Sequence, residues 1–288
     1  MTELEYVPIP IYSDNYAWLI TDGCSAIVVD PGDTAPVIRY CDENGLRLTG
    51  VLVTHHHSDH TGGIEALLSW SGDYAIPVYG LAKAFIPGVS ARAGHGFRLT
   101  YSEPAFEASI IAIPGHTQDH IAYFEDARGT GVTHLFCGDA LFASGCGRLL
   151  EGTAEQMLAS LDGLAVLPRD TKVHCAHEYT LANIQFARHC EPSNTETNLW
   201  YQRARALRYD GLPTLPTSIE LELAVNPFLR LQNPEFLGTL EDRFRVAIPN
   251  RLAAFTPLRG WKDIFRADES VPTERLWSTP VLANSRSA

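Results

Sequence analysis

The chain lacks any pair of cysteines spaced C-x-x-C. Its six cysteines, Cys24, Cys41, Cys137, Cys146, Cys175 and Cys190, are scattered. This argues against a thiolate zinc site and against a disulfide framework, so the cysteines are expected to be reduced and mostly in the core. No apolar run approaches the ~18 residues needed to span a bilayer. The first basic residue is Arg39, whereas a signal or transit peptide would carry early lysine or arginine. The expected compartment is therefore the cytoplasm. Basic residues stay scarce through the front of the chain: residues 1–178 hold 9 Lys or Arg against 22 Asp or Glu, a net −13. A surface of that sign is unsuited to nucleic acid and suited to holding cations. Residues 179–288 hold 13 basic against 12 acidic residues, a net +1, so the rear could supply groups for an anionic ligand.

At 288 residues, the chain has room for one large domain or two ordinary ones and can bury roughly 75% of its unfolded surface. The front reads as alternating short strands and helices. Strands are expected at Tyr16–Ile20, Ala26–Asp30, Val51–Thr54, Pro77–Tyr79, Ser109–Ile113, Ile121–Phe124, Thr133–Cys137 and Thr171–Cys175, which are apolar runs bounded by turn residues. Helices are expected at Pro36–Asp42, closed by Gly45, at Gly62–Trp70, and at Thr153–Leu164. In the last, Thr153 can cap the N-terminus and Met157, Leu158, Leu161 and Leu164 recur at helical spacing. After His177 the texture turns helical, over Thr180–His189, Thr195–Leu207 and Pro234–Ala247. The stretch Ser278–Ala288 is small and polar and is expected to fray. The expected organisation is an α/β domain over residues 1–177 and a smaller helical domain over 178–288.

The most informative segment is Thr54-His55-His56-His57-Ser58-Asp59-His60, between an expected strand and an expected helix. Imidazoles and a carboxylate packed there require water or a cation. Side chains alternate along a strand end, so His55 and His57 can face one centre while Asp59 and His60 turn toward a second. His116 in Pro114-Gly115-His116, Asp139 in Cys137-Gly138-Asp139 and His177 in Cys175-Ala176-His177 each follow an apolar strand directly. Asp30 in Asp30-Pro31-Gly32 repeats the pattern. Ligands gather at strand ends in α/β sheets, so these residues are expected to converge. His120, His134, His174 and His189 sit among apolar residues on expected strands or helices and read as hydrogen-bonded core or surface residues. His95 receives no role. An all-nitrogen and oxygen donor set suits zinc, with iron and manganese compatible.

The order H-x-H-x-D-H, then Gly-His, Gly-Asp and a late His, each after a strand, resembles the metallo-β-lactamase superfamily over about 175 residues. The resemblance implies an αββα sandwich with one or two metals at its edge. It implies His55, His57 and His116 on a first metal, and Asp59, His60 and His177 on a second. It makes Asp139 the bridge and leaves His56 between ligands without being one. Two metals ~3.5 Å apart share a water and bring its pKa near neutrality, giving a hydroxide nucleophile oriented here by Asp59 and Asp139.

Four further segments narrow the resemblance. They are Gly145-Cys146-Gly147-Arg148-Leu149-Leu150-Glu151-Gly152-Thr153, His177-Glu178-Tyr179-Thr180, Asn226-Pro227-Phe228-Leu229-Arg230 and Arg259-Gly260-Trp261-Lys262-Asp263. With the metal motif they resemble the glyoxalase II (hydroxyacylglutathione hydrolase) family, from about Val7 to Arg266. The family implies hydrolysis of the thioester S-D-lactoylglutathione to D-lactate and glutathione; the sequence does not report the oligomeric state, and a monomer is favoured. The family also implies glutathione contacts from Arg148, Tyr179, Arg259 and Lys262. The chemistry agrees, because glutathione carries two carboxylates and Arg pairs a carboxylate with two parallel hydrogen bonds. Arg259 and Lys262, three residues apart, share a face of any helix that carries them. Without the family pattern they would read as surface pairs with Asp263 or Asp268. The chain departs from the family at Arg148, usually lysine, and at Leu150, often aromatic, where a hydroxyl contact is lost. Asn183, a turn beyond Tyr179, offers a further polar contact, and Glu178 receives no role. Alternatives within the superfamily are a persulfide dioxygenase with one iron, a lactonase or another thioesterase. The non-enzyme alternative is a metal-binding scaffold, which the full donor set disfavours.

Overall fold

The computed structural model describes residues 3–72, 76–81, 86, 88–126 and 131–267. In chain order the elements begin β1 (Glu5–Ile11), β2 (Asn15–Thr21), β3 (Ser25–Val29), α1 (Ala35–Asn44), β4 (Arg47–Leu52), α2 (Ser58–Thr61) and α3 (Ile64–Ser71). Five strands follow: β5 (Val78–Leu81), β6 (Ala91–Ala93), β7 (Arg98–Ser102), β8 (Ala105–Ala112) and β9 (Ile121–Glu125). Then come β10 (His134–Gly138), β11 (Leu141–Phe142), β12 (Gly145–Cys146), α4 (Ala154–Ala165) and β13 (Lys172–Cys175). The rear holds α5 (Thr180–Cys190), α6 (Thr195–Tyr209), β14 (Thr217–Ser218), α7 (Ile219–Val225), α8 (Pro234–Phe244) and α9 (Arg251–Ile264).

Two six-stranded sheets form the centre. One runs β1-β2-β3-β4-β5-β6 and the other β14-β13-β10-β9-β8-β7, while β11 and β12 make a separate small hairpin. Alternation along β2 decides the layering. Ala17 and Leu19 join Val37, Cys41 and Leu67 of α1 and α3 in one buried cluster. Tyr16, Trp18 and Ile20 face the other way, into a cluster with Phe136 and Leu135 of the second sheet and with Leu161 of α4. The result is helices, sheet, sheet, helices, an αββα sandwich.

Every strand and helix expected from the sequence is present, with ends displaced by a few residues. Thr153 caps α4 in a reciprocal pair with Gln156, and Gly45 closes α1 in the left-handed region at φ 65°. The helix expected over Pro234–Ala247 stops at Phe244, where Arg245 takes φ 58°. His120 is not on a strand; it lies in the loop just before β9 and is buried. The expected frayed tail, Ser278–Ala288, lies outside the described residues. Strands β1, β6, β7, β11, β12 and β14 and helices α2, α7 and α9 were not anticipated. β1 reads EYVPIPI; its prolines are tolerated because it is a sheet edge, where a missing backbone donor costs no ladder bond. α9 carries Pro257 and Gly260 in its interior and starts on an Asn250 cap. Its amphipathic face, Ala254, Phe255, Leu258 and Trp261, is buried against the main core. All six cysteines are free and five are buried.

Candidate metal centre

The seven donors expected from the sequence meet at one edge of the sandwich. The loop after β4 delivers His55 and His57, and α2 delivers Asp59 and His60. His116 comes from the β8–β9 loop, Asp139 follows β10, and His177 follows β13. His55, His57 and His116 present one donor atom each within 4.8 Å of one another; so do Asp59, His60 and His177, and so do His55, His60 and Asp139.

The second nitrogen of four imidazoles is already committed, and this settles which nitrogen faces the centre. His116 Nδ1 donates to the Arg148 carbonyl (2.9 Å), leaving Nε2 bare. His177 Nδ1 donates to Asp14 (2.9 Å) and His60 Nδ1 to Asp30 (3.1 Å). Thr54 gives its hydroxyl proton to Asp30 (2.7 Å), so its oxygen accepts from His55 Nδ1 (3.1 Å). His57 faces the centre with Nδ1, 3.0 Å from His55 Nε2 and 3.2 Å from His116 Nε2. A proton on His57 Nδ1 serves one of these neighbours well; a divalent cation serves all three. Two nitrogens each ~2.05 Å from a tetrahedral zinc lie ~3.3 Å apart, which matches this trio.

The second group has the same character. His177 Nε2 and His60 Nε2 lie 3.3 and 3.6 Å from Asp139 Oδ1, and 3.6 and 3.4 Å from Asp59 Oδ2. Asp139 Oδ2 turns instead toward His116 Nε2, at 3.4 Å. The two oxygens of Asp139 thus address the two groups separately. Most of these separations are long for hydrogen bonds and natural for ligands around an ion. His60 Nε2 and Asp139 Oδ1 are buried without a hydrogen-bond partner. The residues fit divalent cations.

The electrostatics divide in the same way. Burial, reinforced by neighbouring imidazoles, depresses His55 and His57. Burial also disfavours charge on His60 and His177. There, however, Asp139, with Asp30 on one ring and Asp14 on the other, overrides it and holds both up, His177 at about 9. Asp139 is buried and Asp59 half-buried, yet the facing histidines keep both carboxyls below the usual range. Both are carboxylates at neutral pH.

Apart from Asp30, the row of residues behind the donors was not identified from the sequence. Asn15 Nδ2 donates to Asp59 Oδ2 at 2.9 Å. His120 stacks on His55 (4.5 Å between centroids) and accepts from the Asp139 amide through Nε2 (3.0 Å). Asp14 and Asp30 hold the rings described above. Only Asp30 had a visible signal, its position after an apolar strand. His56 pairs with Asp119 Oδ1 at 2.8 Å and does not join the first trio.

Of the expected substrate residues, Arg148 is exposed beside His116, and Tyr179 stacks on His177 at 4.6 Å and 10°. Arg259 is buried. It donates to the Cys146 carbonyl (2.7 Å) and pairs with Asp263 (3.0 Å). Lys262 reaches the Ala182 carbonyl at 3.5 Å, and burial, then the charge of Arg259, lowers it to about 8. The two share the helix face that looks on the Cys146–Arg148 segment. Asn183 is buried and gives its amide to the Ala143 carbonyl. Glu178 is buried, accepting from Tyr16 and Thr214. Asp268 lies outside the described residues.

Fold and donor geometry together define a metallo-β-lactamase-type hydrolase centre, and the model of the Metallo-beta-lactamase superfamily matches residues 13–177. The model for the hydroxyacylglutathione hydrolase C-terminus matches residues 178–265. A hydroxyacylglutathione hydrolase of Cupriavidus taiwanensis is 48% identical over 268 residues, covering 91% of this chain and 100% of that one. One from Shewanella halifaxensis is 46% identical over 265 residues, with the same coverage. The crystal structure of ETHE1 from Myxococcus xanthus shares the fold at TM-score 0.59 and 24% identity, covering 90% of this chain and 99% of that one. The chain belongs to the hydroxyacylglutathione hydrolase family of the metallo-β-lactamase superfamily. That family implies divalent metal ions, and among the described residues no helix is long and apolar enough to cross a membrane.

Proposed function

We propose that this chain hydrolyses S-D-lactoylglutathione to D-lactate and glutathione with two divalent metal ions, zinc in first place and iron or manganese as alternatives. The observation that carries the reading is the donor arrangement: two groups of three residues, joined by the split carboxylate of Asp139. His55, His57 and His116 would hold one ion, Asp59, His60 and His177 the other, with Asp139 between them. When bound, such ions supply Lewis acidity toward a thioester carbonyl and toward water.

The protein's own groups do the rest. Asp59 and Asp139 stay ionised and orient the attacking water, and Asn15 restrains Asp59. The departing thiolate is weakly basic compared with an amine or alkoxide, so no strong general acid is required. Arg148, Lys262 and Tyr179 face the thiol half of the substrate, with Arg259 behind them, and residues 178–288 act as the section that binds it. The complete Asp59, His60 and His177 set supports two ions over the single iron of a persulfide dioxygenase. The free, largely buried cysteines suit a reducing cytoplasm, and we take the chain to act as a monomer.

The test is the loss of thioester absorbance with S-D-lactoylglutathione, on protein whose metal content has been counted. Turnover with about two metals per chain is expected, from the binuclear chemistry. Metal-replete protein without turnover overturns the substrate assignment.

A further inference from the structure

The segment from Leu141 to Gly147 joins the two parts of the proposed site: Asp139 lies just before it and Arg148 just after. It is buried throughout, so each of its backbone carbonyls needs a partner away from water. Side chains from the rear helices provide most of them. Asn183 of α5 donates to the Ala143 carbonyl at 3.1 Å. Asn226, capping α7, donates to the Phe142 and Gly145 carbonyls at 3.3 and 2.9 Å. Arg259 of α9 donates to the Cys146 carbonyl. The segment has no slack. A side chain at Gly147 would place Cβ 2.0 Å from the Asp139 carbonyl oxygen, and one at Gly145 would sit 2.6 Å from Asn183.

One acceptor stands against these donors. Glu222 of α7 is wholly buried. Its carboxyl accepts from the Ser144 amide at 2.8 Å, the Thr217 hydroxyl at 2.7 Å and the Asn226 side-chain amide at 2.9 Å. Ser144 is held in the left-handed region at φ 57°, a conformation rare for residues other than glycine. Glu222 therefore restrains the strained residue at the tip of the hairpin and orients the asparagine that holds two of its carbonyls.

We infer that Glu222 is a positioning residue, a buried carboxyl on the rear helices that fixes the 141–147 segment and, through it, the placement of Asp139 and Arg148. Its effect on catalysis rests on the proposed hydrolysis; its effect on the segment does not. Removing Glu222 takes the acceptor from the buried Ser144 amide and Thr217 hydroxyl at once and deprives Asn226 of one of its three. Burial pushes its carboxyl up to about 7, so the neutral amide of glutamine reproduces its protonated form.

The test compares Glu222→Ala, Glu222→Gln, the milder Asn183→Ala and a control, Leu19→Ala, which hollows the distant α1–α3 side of the first sheet. Amide hydrogen exchange over 141–148 is measured without substrate, and kcat/KM on metal-loaded protein. In Glu222→Ala, exchange over 141–148 should rise at least tenfold and kcat/KM fall at least tenfold. Glu222→Gln should restore both to within about threefold, because its amide oxygen accepts from the Ser144 amide and Asn226 while its NH2 donates to a Thr217 hydroxyl turned to accept. Asn183→Ala should raise exchange over the same segment if Glu222→Ala fails to fold. Leu19→Ala should lose thermal stability while keeping kcat/KM. Unchanged exchange over 141–148 in Glu222→Ala, or an equal loss of kcat/KM in Leu19→Ala, overturns the inference. Because exchange is read without substrate, failure of the proposed hydrolysis is distinguishable from failure of this assignment.

Discussion

Asp14 Oδ1 lies 2.9 Å from His177 Nδ1, across 163 residues of sequence. The contact turns Nε2 of the ring toward Asp59 and Asp139 and keeps it there. A carboxylate behind a ligating imidazole raises its basicity and fixes its orientation, and losing one typically costs 10–100-fold in metal affinity. Asp14→Ala should weaken binding of one ion by that order and leave the other intact. Metal per chain after dialysis against a competing chelator reports it; retention of both ions at wild-type competitor strength counts against the assignment.

Arg148 divides its work. Its backbone carbonyl fixes His116, and its side chain is exposed. Arg148→Ala keeps the carbonyl and removes only the guanidinium. Metal content should hold, kcat should change little, and KM for the anionic thioester should rise several-fold, as for a lost uniform binding contact. A fall in kcat with KM unchanged would place the residue in the chemical step instead.

Lys262 introduces a pH dependence on the alkaline side. Burial and Arg259 bring it to about 8. It is a cation below that value and neutral above it, so attraction for a carboxylate weakens as pH rises through the region. KM should climb above about pH 8 in wild type, and Lys262→Arg, whose guanidinium does not titrate there, should flatten the climb. The same inflection in both proteins would exclude Lys262 as its source.

A second titration concerns stability. Glu125 accepts from Tyr6 at 2.6 Å, and burial raises it from 4.5 to about 7. A carboxyl with a raised folded-state pKa contributes stability that is complete below the unfolded value and lost as pH rises through the folded one. The window here is 4.5 to about 7. Urea unfolding of wild type against Glu125→Gln should therefore favour wild type more near pH 5 than near pH 8, by the linkage sign alone. A flat difference would show that Glu125 ionises as freely in the folded chain as in the unfolded one, and the reverse slope that the fold favours its carboxylate.

How far the sequence could be read depended on whether the deciding contact was local. His55, His57, Asp59 and His60 lie within six residues at a strand-to-helix turn, and His116, Asp139 and His177 each follow an apolar run. That pattern, with its family resemblance, anticipated the sandwich and the convergence of all seven donors. Asn15, Asp14 and His120 left no such trace. Asp14 and Asn15 gain their roles only because β2 is brought beside the end of β13, where Tyr16 N donates to the Ala176 carbonyl at 2.7 Å, and His120 gains its own where the loop before β9 meets His55 and Asp139. Arg259 shows the same limit from the other side. The family pattern implied a substrate contact and the spacing offered Asp263 as a partner, whereas its hydrogen bond to the Cys146 carbonyl, 113 residues away, could not be read from spacing. β1 was hidden by its prolines and α9 by Pro257 and Gly260, where edge position and tertiary burial outweigh local preference.

The two residues of β14 pair with Lys172 and Val173 at the outer side of β13. They come from beyond α6, yet they complete the sheet whose last strand leads into His177. A chain cut after His177 would therefore leave that strand with a row of unpaired amides and carbonyls, an invitation to pair with a neighbouring molecule. During synthesis the front of the protein emerges before its guard strand does. The helical half is thus also a cover against aggregation, and trimming the protein to its metal-binding half should yield a sticky chain rather than a smaller enzyme.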